Sequence, residues 1–80
     1  VNIYLISQND VDGYDTYDSA VVIAKSEDAA RNIHPGNGKP LSADTWGTWT
    51  TDPTKVRVEL IGLAKPGSEQ RVVCASFNAG

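Results

Sequence analysis

Four short runs of strand-forming residues, separated by turn-rich segments and by one stretch of helical character, constrain this chain more than any other feature. Asn2 to Gln8 (NIYLISQ) is rich in β-branched and aromatic residues, with Ile3 and Leu5 on one face and Tyr4 and Ile6 on the other. Asp12-Gly13 separates it from the second run. That dipeptide suits the central positions of a type I′ hairpin turn, where glycine supplies positive φ and aspartate tolerates it. With the turn there, paired residue numbers sum to 25, so Leu5 opposes Ala20, Ile3 opposes Val22 and Tyr4 opposes Val21. The competing reading is a long loop over 9–18, with the second strand starting at Ser19.

Ser26-Glu27-Asp28 closes the second run and starts a helix. The Ser26 hydroxyl suits the N-cap, and two acids in the first turn complement the helix dipole. Ala29, Ala30 and Ile33 give a short apolar stripe, and Pro35-Gly36 stops the helix after His34. Residues 35–54 hold three glycines, three prolines and many Ser, Thr and Asp residues, so this is the irregular segment. Trp46 and Trp49 are its anchors, with a single helical turn at Ser42 to Trp46. Lys55 to Ala64 alternates, with Val56, Val58 and Leu60 one way and Arg57 and Glu59 the other. Pro66-Gly67 reads as a turn, and Arg71 to Phe77 returns as the last strand.

The expectation is an α+β fold: one four-stranded antiparallel sheet with one short helix on one face, in ββαββ order. Its parts are a hairpin over 2–25, a helix over 26–34, an irregular loop over 35–54 and a hairpin over 55–77. Eighty residues suffice for one small domain, which buries roughly 60% of its unfolded-chain surface and has little room for a deep interior site. One cysteine forms no internal disulfide. The longest apolar run, Ala20 to Ala24, is far too short to cross a bilayer. Ile3 to Ile6 lacks the basic lead and cleavage site of a signal peptide, so a cytoplasmic location is expected.

The net charge of −3 conceals an asymmetry. Residues 1–30 set Asp10, Asp12, Asp15, Asp18, Glu27 and Asp28 against Lys25, while residues 31–80 carry a slight basic excess. A protein that grips a phosphate backbone needs a basic face, so direct nucleic-acid binding is not expected. No basic amphipathic stretch suggests a membrane surface. An acidic end does suit a basic partner.

The residues offer little catalytic chemistry. Aligning Gly13 with the glycine of a calcium-binding EF-hand loop puts Gln8 first and Ser19 twelfth, so both essential carboxylates are missing and no metal is expected. Gly36-Asn37-Gly38-Lys39 lacks the spacing of a phosphate-binding loop, with Pro40 where the hydroxyl belongs. His34 has no local carboxylate and suits a helix terminus. Cys74 falls within a strand, where free cysteine behaves as a small buried hydrophobe. No catalytic residue and no cofactor is therefore assigned. The binding candidates are Asp10, Asp12, Tyr14, Asp15, Tyr17 and Asp18, an acidic tip interleaved with tyrosines, with Trp46 and Trp49 second. The bland alternative is that the acids solubilise a hairpin end and the aromatic rings cover the core.

The strings NIYLISQ, GYDTYDSAVV, SEDAAR and CASFNAG resemble those of short proteins encoded in phage and prophage genomes. The resemblance brings no catalytic residues. It implies an accessory binding protein in a bacterial host, acting on a basic surface of a host macromolecule such as defence or transcription machinery. Two other classes stand beside it: a structural homo-oligomer pairing through strand edges or the Trp loop, and a small hydrolase or transferase using Cys74 or His34.

Overall fold

A computed structural model describes residues 1–43 and 47–79 of the chain. It contains β1 (Asn2–Ser7), β2 (Thr16–Ala24), a helix α1 (Glu27–Arg31), β3 (Arg57–Leu63) and β4 (Arg71–Asn78), with 3-10 turns at Leu41–Ala43 and Pro53–Lys55. The strands form one antiparallel sheet in the order β3-β1-β2-β4, so the α+β architecture is as expected from the run pattern.

The helix expected over 26–34 ends at Arg31, because Asn32 caps it and Ile33 bridges to Pro40, and two pairing expectations fail, each for a physical reason. The first hairpin is one residue out of the anticipated register: Leu5 pairs with Val21, Ile3 with Ile23 and Tyr4 with Val22. Cross-strand partners share a face, and a one-residue slip moves a strand's whole apolar set to the other side. The observed register puts Tyr4, Ile6, Ala20, Val22 and Ala24 together in the core. The anticipated one would have set Ile6 against Ser19. Burial thus overrides the preference of Asp12-Gly13 for a two-residue turn, and the chain spends residues 8–15 on a wider loop. The second failure is the hairpin over 55–77. β3 and β4 do not pair; they are the two edges of the sheet, and the connection through Pro66-Gly67 crosses the end where β1 begins. There the Ala64 N–H donates to the Val1 carbonyl at 3.0 Å.

One face of the sheet is covered. Ser26 caps α1, its Oγ accepting from the Ala29 N–H at 3.2 Å, with Glu27 and Asp28 in the first turn. The helix survives at five residues because it packs on the sheet, placing Ala30 in the core beside Ile33, Leu41, Trp49 and Val56. Full burial of each large aliphatic side chain contributes roughly 1.5–3 kcal/mol. Arg31 ties the helix to β3: its Nη1 donates to the Val56 carbonyl at 2.8 Å. Among the described residues the other face has no second layer; Leu5, Val21 and Cys74 lie there, Leu5 and Val21 half-buried. Three residues interrupt the ladders as bulges, Ile61 opposite β1, Asp18 opposite β4 and Val73 opposite β2.

Candidate functional site

The loop between β1 and β2 carries the acidic residues, and a buried amide shapes it. Gln8 continues the alternation of Tyr4 and Ile6 on the covered face and is only 7% exposed. Its Nε2 donates to the Val11 carbonyl at 2.7 Å and to the Tyr17 carbonyl at 3.0 Å, while its Oε1 accepts from the Val11 N–H at 2.8 Å. One side chain therefore satisfies three backbone groups that a wide loop would otherwise leave open.

The loop is also held from outside. Asp10 Oδ2 accepts from the hydroxyl of buried Thr50 at 2.8 Å. The Gly13 carbonyl accepts from Thr16 Oγ1 at 2.8 Å and from Asn78 Nδ2 at 2.7 Å. The Asp15 N–H donates to the Asn78 carbonyl, and the Tyr17 N–H to the Thr48 carbonyl at 2.9 Å. Positive φ at Gly13 (94°) and Asp15 (60°) lets the chain turn back, and Asp is among the few non-glycine residues that tolerate this. The loop is thus stapled to the last strand and to the 48–50 segment.

Of the candidate residues, Asp10, Asp12, Asp15 and Asp18 are all exposed, and Tyr14 projects with 76% of its surface free. Among the described residues the one ion pair is Arg31–Glu27 at 3.8 Å on the helix, so no close cation neutralises the four acids. They do not converge: no three His, Cys, Asp or Glu side chains among the described residues are placed to hold a metal ion.

The remaining aromatic candidates part company with this group. Tyr17 is half-buried between His34, at 6.2 Å edge-on, and Phe77, at 4.8 Å and tilted by 58°, so its ring packs the fold. Trp49 is 1% exposed and belongs to the core, which removes it from the surface candidates. Its size makes it the main filler beneath the irregular segment, and its Nε1 has no hydrogen-bond partner among the described residues. Trp46 lies outside the described residues.

His34 is a buried structural pin. Its Nδ1 accepts from the Gly36 N–H at 2.9 Å, so that nitrogen carries no proton, and Nε2 lies 3.3 Å from Thr48 Oγ1. Cys74, expected to be buried, is exposed, because β4 is an edge strand and none of the described residues layers over its open face. It pairs with Val21, on the face opposite the one where His34 meets Tyr17, so the sheet separates thiol from imidazole. Asp52 caps the 3-10 turn at Pro53–Lys55. Hydrogen bonds from the Thr54 hydroxyl (2.7 Å) and Thr54 N–H (3.0 Å) hold its carboxyl below the usual carboxylate range.

Reading the sequence missed Gln8, Thr50 and Asn78 as organisers of the tip. A signal existed for Gln8: it extends the core-facing positions of β1 by one step, and a polar residue there must be given partners. Thr50 and Asn78 had none, because their role depends on which segments meet. No protein family matches the chain, and no curated protein or solved structure matches it either.

Proposed function

We propose that this chain is a small non-enzymatic binding protein whose acidic tip occupies a basic surface of a host macromolecule, as an accessory protein of a phage or other mobile element in the bacterial cytoplasm. The observation that carries the reading is a pre-shaped loop presenting Asp12, Tyr14, Asp15 and Asp18 to solvent, with no ion pair to any of these acids among the described residues. A loop fixed by its own hydrogen bonds loses little conformational freedom on binding, which favours affinity. Unneutralised carboxylates steer a basic partner toward the tip and repel acidic ones. Tyr14 adds a ring with a polar end, the type of group that dominates binding hot spots.

The test uses a triple variant, Asp12→Asn, Asp15→Asn and Asp18→Asn, leaving Asp10 to hold Thr50. Asparagine tolerates the positive φ at position 15, so the loop keeps its shape. Wild type and variant are immobilised side by side in host lysate, retained proteins are identified, and association is timed at low and high salt. The expected result is a partner held by wild type with an on-rate roughly tenfold above the variant's, the difference vanishing at high ionic strength. Equal on-rates at low salt refute the role of the tip.

A further inference from the structure

We infer that β4 is a pairing edge for a second copy of this chain, joining two sheets into one eight-stranded sheet about a two-fold axis at Ala75. The two edges of the sheet differ in how they are guarded. The first half of β3 carries Arg57 and Glu59, with Lys55 just before it, and charged side chains on an edge discourage a further strand; only Leu60–Leu63 is without a charge. β4 runs Val72-Val73-Cys74-Ala75-Ser76-Phe77 without a charge or a proline, and only Val72 is even half-buried. Its outer row of backbone N–H and C=O groups is a template for antiparallel addition.

Self-complementarity selects the second copy as occupant. An axis at Ala75 sets Ala75 against itself and Cys74 against Ser76, and brings Val73, the bulged residue of β4, toward Phe77. The last two are the large apolar residues of the strand left half-exposed, at 48% and 45%, and each finds the other. Phe77 already stacks on Tyr17, so the pairing extends an existing aromatic contact.

Charge points the same way. At the β4 edge itself, Arg71 opens the strand, whereas Asp15 lies at its close, where its N–H donates to the Asn78 carbonyl. An antiparallel two-fold lays Arg71 of one copy toward Asp15 of the other. The inference is independent of the function proposed for the tip, since a monomer can carry an acidic loop and a dimer need not bind a host protein.

The test is sedimentation from micromolar to near-millimolar concentration, with far-UV circular dichroism confirming the fold of each variant. Wild type is expected to approach twice its monomer mass. Ala75→Lys and Ala75→Glu, which place like charges against each other, each remain monomeric, and their mixture recovers the dimer. In a Cys74→Ser background, Ala75→Cys forms a disulfide-linked dimer under mild oxidation, because directly opposed residues lie about 4.5–5.5 Å apart. Native Cys74 does not cross-link, being about 8 Å from its symmetry mate by strand spacing and rise. A monomeric wild type at the highest concentration, a dimeric Ala75→Lys variant, or cross-linking through Ser76→Cys instead of Ala75→Cys overturns the inference.

Discussion

Gln8→Leu is the sharpest probe of how the acidic loop is built. The substitution keeps the side chain near its original size and removes all three hydrogen bonds, leaving the Val11 N–H and the Val11 and Tyr17 carbonyls without that partner. Leaving a buried polar group unsatisfied costs about 1–3 kcal/mol. These three groups are partly buried, so water re-enters for some of them and roughly 2–3 kcal/mol in total is the expected loss. A chain of eighty residues has about 4–12 kcal/mol of stability, so the change is a large share of it. At about 4–8 °C per kcal/mol for a domain of this size, the melting temperature falls by roughly 8–24 °C. Thermal denaturation followed by far-UV circular dichroism reads the shift, and hydrogen exchange at the Val11 amide reads its origin. A fall of less than about 3 °C with the Val11 amide still protected would refute the account of Gln8 as the loop's organiser.

Two further outcomes follow from local geometry. Gly36 has ordinary backbone torsion, yet an added Cβ would lie 3.1 Å from His34 Cε1 and 3.2 Å from Tyr17 Oη. Gly36→Ala is therefore expected to lower stability to chemical denaturation by about 1–3 kcal/mol through crowding; an unchanged midpoint counts against tight packing there. For Asp52, folding lowers the pKa below 3.8, so its cap contributes stability that is present above that value and lost as pH falls through the lower folded value. Carbon-detected titration should place the Asp52 midpoint below 3.8, rising toward it in Thr54→Val, and a wild-type midpoint above 3.8 contradicts the capping geometry.

The strands and the helix start were legible because each is locally coded: β-branched runs and the Ser26 cap act within a few residues. Register and strand order were not. Asp12-Gly13 reads as a tight two-residue turn, but only Gly13 of the pair takes positive φ, and the core face of Tyr4 and Ile6 fixed the pairing. The Pro66-Gly67 bend reads identically whether it joins neighbours or edges, because a local turn does not encode what lies between the strands. At the candidate site, the acids were visible as a run along the chain. Trp49 was ambiguous, because a tryptophan in a loop fills a core or faces a partner with the same sequence signature. The contacts of Thr50 and Asn78 with the loop span 40 and 65 positions and leave no local trace.

The flanking arrangement of β3 and β4 also sets an order of assembly. The β1–β2 ladder begins with Ser7 and Ser19, twelve positions apart, whereas β2 and β4 first meet at Ile23 and Arg71, forty-eight apart. Closing the longer span costs about 1.2 kcal/mol more in chain entropy from an open coil. On the ribosome the central hairpin, made once Ala24 is added, waits for Arg71 and the residues after it before its second flank is covered. For the interval of synthesis, Tyr17 to Ile23 is itself an open edge.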